Sequence, residues 1–278
     1  MISTLLCSII LLNLNSEGFS TMNREELKHI ALETMRIINR GSYNNIELHI
    51  EQMVKDTRLV RDLDIRLNKQ PDWYSIKSNV VNKGVIDTAI DLYKQNPNSK
   101  ITILNFASAK NPGGGFLNGS QAQEESIARA TTLCKSLRKY DKEFYQYHRN
   151  LKSPLYSNLM IHSPNVEIIR SDNGELLETP ISIDVISCAA PNAGVARDKG
   201  LEPLSINIHM KDRIYRIVQL AKNIDTDILI LGAFGCGVFK NDSIFTASHF
   251  ERAINRIILR DSITIKFAIV GKLPRGFY

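Results

Sequence analysis

The sequence has few cysteines and histidines, and they are not grouped. Its 278 residues include four cysteines, at positions 7, 134, 188 and 236, with no Cys-x-x-Cys pair, and six dispersed histidines. Structural zinc sites need these residue types at short, regular spacing, and disulfide frameworks are typical of short, cysteine-rich secreted chains. These absences argue against both a zinc site and a disulfide framework.

Long apolar runs and long runs of one charge are also missing. The apolar stretch at residues 5–12 is shorter than the roughly 20 residues that a membrane-spanning helix needs, so we expect no stable membrane association. Lys and Arg outnumber Asp and Glu by 35 to 29, and the resulting net charge of +6 favours anionic partners. Because these charges are scattered, composition alone indicates only a mildly basic, solvated surface.

The first 21 residues have two interpretations. Residues 5–12 form a weak secretory signal, since no Lys or Arg precedes them, or the folded chain starts at Met22, where an amphipathic helix begins. We favour the second, because both Asn-x-Ser/Thr sequons, at Asn118 and Asn241, lie in the ligand loops described below, where glycans would block access. It predicts a cytoplasmic protein, or a nuclear one in a eukaryote, rather than a secreted one.

Hydrophobic periodicity predicts helices that alternate with strands. Helices are predicted over residues 24–39, 51–57, 85–95, 123–137, 140–147, 204–220 and 245–260, that at 140–147 being exposed. Strands are predicted over residues 43–50, 73–80, 101–107, 158–163, 181–190, 228–231 and 263–270, with a hairpin turn at 172–174. This alternation is typical of a three-layer α/β domain. We divide the chain into an upstream segment, 1–21, a mostly helical extension packed on the core, 22–99, and a core domain, 100–278.

The chain is organised around residues 100–137. A short apolar strand ends near Ala107, a turn follows at Asn111 and Pro112, and three consecutive glycines, Gly113, Gly114 and Gly115, come next. Consecutive glycines weaken any regular element by conformational entropy, so they usually stand where a ligand or another backbone comes very close.

A helix is predicted to begin near Gln123. Ser120 and Gln123 have the spacing of a capping box, and apolar residues then recur at helical intervals up to Leu137. This start places Glu124 and Glu125 in the first turn, beside the glycines and beside free backbone N–H groups that can hold an anion. In an arbitrary helix, two such glutamates would serve only to favour the helix dipole.

A second glycine-rich loop follows the apolar strand at residues 228–231. It contains Gly235, Cys236, Gly237, Val238 and Phe239. Successive backbone N–H groups in two such loops suit a pyrophosphate. Neither loop is followed by Gly-Lys-Ser/Thr, so neither is a Walker loop. From the residues alone, plain strand-to-helix turns remain the better interpretation of both.

Several motifs together resemble the poly(ADP-ribose) glycohydrolases, closest to their compact bacterial-type branch. They are, in order, Gly-Gly-Gly with seven residues before Gln-Glu-Glu, Ser-Pro-Asn-Val at 163–166, Arg170, Ala-Pro-Asn-Ala-Gly at 190–194, and Gly-Ala-Phe-Gly-Cys-Gly-Val-Phe-Lys-Asn at 232–241. The resemblance extends from about Met22 to the C-terminus. It is specific because several unusual motifs agree in order and spacing.

The resemblance implies a macrodomain fold, a mixed sheet between two layers of helices, with residues 100–278 as the catalytic domain, and assigns roles to the loops. Glu125 would be the catalytic general acid and base, while Glu124 and Gln123 would hold the distal ribose and the helix start. Phe239 would pack on the distal ribose, both glycine loops would bind the pyrophosphate, and Ser108 and Asn111 would hydrogen-bond ribose hydroxyls or only form the turn. No metal and no cofactor would be needed.

The expected function is hydrolysis of the ribose–ribose bond of poly(ADP-ribose), from the free end, by a monomer. The expected partners are poly(ADP-ribose) or ADP-ribosylated protein as substrate and ADP-ribose as product. Two alternatives stay open: a macrodomain that binds ADP-ribose without cleaving it, and a hydrolase of another ADP-ribosyl linkage on protein or nucleic acid. An intact Gln-Glu-Glu favours hydrolysis, since a pure binding module needs no acid there.

Overall fold

The computed structural model describes residues 22–69 and 72–278, so the upstream segment 1–21 and its two interpretations lie outside the described residues. Helices occupy α1 (Arg24–Arg40), α2 (Ile50–Asp56), α3 (Val85–Gln95), α4 (Gln123–Ala130), α5 (Leu133–Arg138), α6 (Tyr147–Asn150), α7 (Ala193–Asp198), α8 (Pro203–Asn223) and α9 (Ser243–Ile257). Strands occupy β1 (Ser42–Tyr43), β2 (Ile46–Glu47), β3 (Arg58–Val60), β4 (Val80–Val81), β5 (Ile101–Phe106), β6 (Met160–Arg170), β7 (Leu176–Cys188), β8 (Ile228–Leu231) and β9 (Thr264–Ala268). Nowhere in this part of the chain is a helix long and apolar enough to cross a membrane.

A mixed sheet organises the domain. Its strand order among the described residues is β3-β6-β7-β5-β8-β9-β4. The strands from β7 to β4 in that order are parallel, while β6 runs antiparallel to both of its neighbours. The carboxyl ends of β5, β7 and β8 therefore meet at one edge of the sheet, and ligands of α/β proteins bind at this kind of edge.

Two layers of helices cover the faces of the sheet. On one face, α8 and α9 pack against the even-numbered side chains of β7, such as Ile186, and against Leu229 of β8. On the other face, α3, α4 and α5 pack against Ile103 of β5 and Val185 of β7. Strands buried on both faces read as continuous apolar runs, as at residues 228–231, where every side chain is buried. The predicted three-layer α/β architecture with a mixed sheet is confirmed.

The helix α1 has the ends that its sequence predicts. The Asn23 side chain accepts the N–H groups of Glu25 and Glu26, and the Glu26 carboxylate accepts the N–H of Asn23. At the other end Gly41 adopts a left-handed conformation, with φ of 76°, which glycine reaches without a steric penalty.

The predicted strand at residues 73–80 is wrong, because side chains of α9 take the backbone donors of this segment. The Asn255 side-chain oxygen accepts the N–H groups of Trp73 and Tyr74, and a Glu251 carboxylate oxygen accepts that of Ile76. Only β4, at the end of the segment, pairs with the sheet.

Residues 43–50 form a turn between two short strands rather than one strand. Asn44 and Asn45 both have positive φ, 48° and 62°, which reverses the chain between β1 and β2. Asparagine is one of the few residue types that tolerates this conformation. Ile50 then begins α2.

Two helix predictions need correction. The helix at residues 123–137 is interrupted between α4 and α5, because the Thr132 N–H donates to Glu167 of β6 and Thr131 pairs with Ile168. The segment at 140–147 is a π-helix, Asp141–Gln146, running into α6, and it is not exposed throughout. Phe144 and Tyr145 are fully buried in the core beneath it.

The division of the chain after residue 99 stays a prediction. The segment 22–99 supplies both edge strands of the sheet, β3 and β4, along with α1, α2 and α3. Much of this segment is therefore continuous with the sheet and its helix layers.

Candidate active site

The two predicted glycine loops meet at the carboxyl edge of the sheet. They follow β5 and β8, which are adjacent parallel strands. Between the loops lies an open cleft of about 480 Å³. Its walls are formed by Phe106, Ser108, Asn111, Gly114, Gly115, Ala122, Gln123, Glu124, Glu125, Ala233, Gly235, Gly237, Val238 and Phe239.

Of the predicted site residues, Gly113 and Cys236 do not line this cleft. Gly113 is a buried residue of the first loop, and Cys236 is a half-buried residue of the second. Burial raises the pKa of the Cys236 thiol to about 11, so the thiol is protonated at neutral pH and is not an activated nucleophile.

Backbone conformation and crowding explain the glycines of the first loop. Gly113 and Gly114 have φ of 75° and 60°, in the left-handed region that side chains rarely adopt. A Cβ atom on Gly114 would overlap the Glu125 carboxylate and would lie 3.0 Å from a Glu124 oxygen. Both carboxylates therefore converge on the bare backbone of Gly114.

Glu124 holds the first loop from within. It is 4% exposed, and its two oxygens accept the N–H of Ser108 at 2.7 Å and that of Gly113 at 3.2 Å. Burial raises the pKa of Glu124 to about 8, and the nearby Glu125 charge adds to this effect, while the two backbone donors oppose it. Glu124 thus fixes the backbone on both sides of the turn.

Glu125 is held at the cleft wall by two backbone donors. One carboxylate oxygen accepts the Gly115 N–H at 2.9 Å, and the other accepts the Ala122 N–H at 3.0 Å. The side chain is 9% exposed and borders the cleft. A carboxyl group gripped at both oxygens keeps a fixed direction toward whatever fills the cleft.

The Gln123 side chain ties the start of α4 to the sheet. Its oxygen accepts the N–H of Phe106 at 2.9 Å, and its nitrogen donates to the Leu104 carbonyl at 2.7 Å. The predicted capping residue, Ser120, does not occupy the cap position. Ala122 does, because its backbone is extended just before the helix, and the Glu125 carboxylate accepts its N–H.

Ser108 and Asn111 line the cleft and also build the turn. The Ser108 hydroxyl accepts the N–H groups of Lys110 and Asn111, at 3.2 and 3.1 Å, and the Asn111 carbonyl accepts the Gly114 N–H. Turn formation, the alternative interpretation of these residues, is therefore observed, and both also border the cleft.

The second loop is braced by Asn241, which sequence reasoning treated only as a sequon. Its side-chain nitrogen donates to the carbonyls of Pro191 and Gly235, at 2.8 and 2.9 Å, and its own N–H donates to Gly235. A Cβ atom on Gly235, whose φ is 71°, would lie 2.6 Å from Ala190. The Asn241 bonds therefore tie the loop after β8 to the loop after β7.

Phe239 and Val238 form the outer wall of the cleft. Val238 is 82% exposed, whereas the half-buried Phe239 packs against the core on the α8 and α9 face. The Phe239 carbonyl accepts the Gly194 N–H at 3.0 Å. The ring therefore stands on a backbone that is fixed by the loop after β7.

A neighbouring cleft of about 410 Å³ was missed by the sequence analysis. It shares Phe106, Ala122, Gln123 and Ala233 with the first cleft. Its other walls come mostly from apolar residues distant in sequence and from a few charged ones, among them Leu27, Lys83, Val85, Arg129, Asp172, Ile269 and Val270. Burial raises the pKa of Asp172 to about 6. The only sequence signal was Asp172 itself, in the hairpin turn.

Among the described residues, no group of His, Cys, Asp and Glu side chains is suited to holding a metal ion.

Comparison with known proteins decides the family. A family model described as the catalytic domain of microbial-type PARG, poly(ADP-ribose) glycohydrolase, matches residues 31–171. The enzyme from Thermomonospora curvata bound to the inhibitor ADP-HPD is 30% identical, with a TM-score of 0.77, over 91% of this chain and 96% of that chain. The chain belongs to the microbial-type poly(ADP-ribose) glycohydrolase family.

A second relative has a known structure with a bound ligand. Poly(ADP-ribose) glycohydrolase from Deinococcus radiodurans in complex with ADP-ribose is 29% identical, with a TM-score of 0.68, over 84% of this chain and 96% of that chain. Comparison with curated protein sequences gives no match. The family predicted from the motifs is confirmed, and the fold is the macrodomain-like fold of these glycosidases.

Proposed function

We propose that this protein hydrolyses the ribose–ribose O-glycosidic bond of poly(ADP-ribose) and releases ADP-ribose from the free end of the polymer. The observation that carries the proposal is the Glu125 carboxyl, gripped by the N–H groups of Gly115 and Ala122 at the wall of a cleft between two glycine loops. Membership of the poly(ADP-ribose) glycohydrolase family supports the substrate.

In the first step, protonated Glu125 donates its proton to the glycosidic oxygen. The bond from that oxygen to the anomeric carbon breaks, and its electron pair stays on the departing ribose hydroxyl. The anomeric carbon becomes oxocarbenium-like, and such a state is stabilised by nearby negative charge. Glu125, now a carboxylate, lies beside this centre.

In the second step, water adds to the anomeric carbon and Glu125 takes the proton that the water loses. The acid is thereby restored, and the products are ADP-ribose and a polymer one unit shorter. Ordinary glycosidases use two separated carboxyl groups. Here Glu124 is engaged by Ser108 and Gly113, so it maintains the loop while the pyrophosphate of the substrate helps to place the water.

The two loops bind the pyrophosphate and the distal ribose. The N–H groups of Gly113, Gly114 and Gly115 donate to Glu124, Asn111 and Glu125. The pyrophosphate therefore binds to the backbone of the second loop, where Gly235 has a positive φ as in anion-binding nests. Phe239 packs on the distal ribose and keeps the anomeric carbon near Glu125. Gln123, Ser108 and Asn111 border the same space and supply polar contacts to the ribose.

The adenine base occupies the neighbouring cleft. That cleft is continuous with the first through Phe106 and Ala233, and its walls are mainly apolar. A flat base suits such a wall, because binding pockets for small molecules are lined mainly by apolar groups with a few polar ones. Asp172 is positioned in this wall to accept a hydrogen bond from the base.

The test compares wild type with Glu125→Gln on poly(ADP-ribosyl)ated protein, measuring ADP-ribose release and, separately, ADP-ribose binding by calorimetry. We expect the variant to lose activity by about 10³-fold, within the range of general acid–base contributions, and to bind ADP-ribose within about threefold of wild type. Glu143→Gln changes an exposed glutamate outside the cleft and serves as the matched control.

Each outcome has a distinct meaning. Binding without release by the wild type would make this a binding module or a hydrolase of another linkage, which mono-ADP-ribosylated protein and nucleic acid would then distinguish. Failure of the wild type to bind ADP-ribose would refute the two-loop site. Release by Glu125→Gln at the wild-type rate would refute the acid–base role.

We further propose that the protein acts as a monomer in the cytoplasm. Light scattering coupled to size-exclusion chromatography tests the first point, and microscopy of the tagged full chain tests the second. A dimer mass, or signal outside the cytoplasm and nucleus, would contradict these proposals.

A further inference from the structure

The segment before β6 carries a bulky residue in an unfavourable backbone conformation. Tyr156 has φ of 58°, in the left-handed region. This region is uncommon for residues other than glycine, and bulky side chains adopt it only when their surroundings compel it. Such strain occurs most often at functional sites, where the surrounding structure holds the residue in place.

A buried arginine holds the backbone on both sides of Tyr156. Arg213 of α8 is 1% exposed, and its guanidinium donates to the Ser157 carbonyl at 3.1 Å and to the Leu155 carbonyl. Burial lowers the pKa of Arg213 to about 10, so the group is charged at neutral pH. No carboxylate of the described residues lies within salt-bridge distance of it.

Burying a charged group without an opposite charge is costly. The carbonyls that accept hydrogen bonds from the Arg213 guanidinium belong to Leu155 and Ser157, the two neighbours of Tyr156. His148, itself fully buried, adds a second support, since its Nε2 atom accepts the Ser157 N–H at 3.2 Å. The buried side chains of Arg213 and His148 thus hold the backbone next to the strained residue Tyr156.

The Tyr156 ring faces the aromatic wall of the candidate active site. Its centroid lies 6.2 Å from that of Phe239, with the ring planes tilted by 45°. Aromatic pairs in this range attract each other. The Asn192 side chain lies next to the Tyr156 hydroxyl, and Asn192 begins α7, whose Gly194 N–H holds the Phe239 carbonyl. Tyr156 thereby contacts the Phe239 ring and lies beside the start of the helix whose Gly194 holds the Phe239 backbone.

We propose that Tyr156 is a positioning residue, which Arg213 locks in place so that its ring keeps Phe239 pressed against the distal ribose. This inference rests on the proposed function of the cleft. It predicts that Tyr156 affects hydrolysis only through Phe239, and that its ring matters more than its hydroxyl.

The test is a double-mutant cycle on the full chain with Tyr156→Ala, Phe239→Ala and the double variant. We expect Tyr156→Ala to lower kcat/KM on poly(ADP-ribose) about tenfold, with most of the loss in kcat because the defect is one of geometry. In the Phe239→Ala background the same substitution should have less than a twofold effect. Tyr156→Phe should remain within about threefold of wild type.

Glycine at position 156 separates positioning from stability. Tyr156→Gly relieves the backbone strain, so it should unfold at a higher temperature than Tyr156→Ala, yet it should be no more active because it also lacks the ring. Tyr278→Ala removes a tyrosine that is 59% exposed and does not line the cleft, and it controls for general effects of losing an aromatic side chain.

Additive effects of Tyr156→Ala and Phe239→Ala would overturn the proposal, as would activity that follows the melting temperature across the Ala, Gly and Phe variants. If wild type binds ADP-ribose but cleaves nothing, the proposed hydrolysis fails separately. The same cycle is then measured on ADP-ribose affinity, where additivity again overturns the role of Tyr156 and coupling supports it.

Discussion

The two glycine loops of the cleft are held in different ways. The first, after β5, is fixed by carboxylates, since Glu124 and Glu125 accept the N–H groups of Ser108, Gly113 and Gly115. The second, after β8, is fixed by hydrogen-bond donors and by packing: the Asn241 amide, the Arg197 guanidinium, which donates to the Lys240 carbonyl, and the packing of Phe239.

Because of this difference, the acidic side chains that line the cleft lie on the side of the first loop. The two acidic side chains stand on one side, where an ionised Glu125 would stabilise a developing cation, and the opposite loop presents only backbone and neutral side chains to the cleft. A carboxylate in the second loop would repel a pyrophosphate, whereas an amide brace leaves its N–H groups free of competing charge. On the proposed function, the first loop therefore carries the chemistry and the second binds the phosphates.

Among the variants that test this comparison of the two loops, the largest loss of activity is expected when the first loop loses a glycine. Gly114→Ala places a Cβ atom where the Glu125 carboxylate lies, at a φ of 60°. We expect at least a hundredfold loss of activity, and a loss of about 1–3 kcal/mol in the free energy of unfolding from the backbone strain. Kinetics and urea denaturation measure the two quantities.

The matched control for that prediction lies in the second loop. Gly237 has no atom within 4 Å of its would-be Cβ and no positive φ. Gly237→Ala should change the free energy of unfolding by less than about 0.5 kcal/mol, while weakening ADP-ribose binding if phosphate approaches this backbone closely. Equal destabilisation of the two variants would contradict the contrast between the loops.

An intermediate effect is expected when the second loop loses its brace. Asn241→Ala removes donors to the Pro191 and Gly235 carbonyls and should lower the free energy of unfolding by about 1–3 kcal/mol. KM should rise more than kcat falls, because the defect lies in the phosphate-binding loop. Asn118→Ala, an exposed asparagine of the first loop, is the control, and a fall confined to kcat would count against this division of roles.

The smallest expected effect is the change in the free energy of unfolding with pH that Glu124 of the first loop causes. The pKa of Glu124 is raised from 4.5 to about 8, so between these values the folded state keeps a proton that the unfolded state has released. This contribution to stability is complete below about pH 4.5 and is lost as pH rises toward 8, with a slope of up to about 1.4 kcal/mol per pH unit.

Glu124→Gln should lack that slope. Its free energy of unfolding, measured by urea denaturation from pH 5 to pH 8, should change less with pH than that of wild type, whereas Glu143→Gln should retain the wild-type slope. Parallel curves for Glu124→Gln and wild type would show that Glu124 titrates normally in the fold.

Much of the site could be predicted from the sequence because its signals are local. Consecutive glycines after an apolar strand, and a glutamate pair in the first turn of a helix, lie within about 20 residues of each other in the chain. Their meeting with the second loop follows from the adjacency of β5 and β8, which the motif resemblance implied and periodicity alone did not give.

What could not be predicted depends on contacts between distant segments. Two- and three-residue strands such as β3 and β4 carry no periodicity, so the contribution of residues 58–60 and 80–81 to the sheet had no signature. The break at Thr131 arises from β6, and the brace at Asn241 reaches the loop after β7. Tyr156 carried no signal either, because backbone strain leaves no mark in the sequence.

The Gln123 side chain accepts from Phe106 and donates to Leu104, so it behaves as one more peptide unit alongside β5. Glu124 and Glu125 follow it in the same helical turn, so the proposed acid, Glu125, takes its position from a central strand rather than from a surface loop. Glu125 reaches its final orientation only when β5 has paired with both β7 and β8. The candidate active site therefore forms together with long-range contacts of the fold.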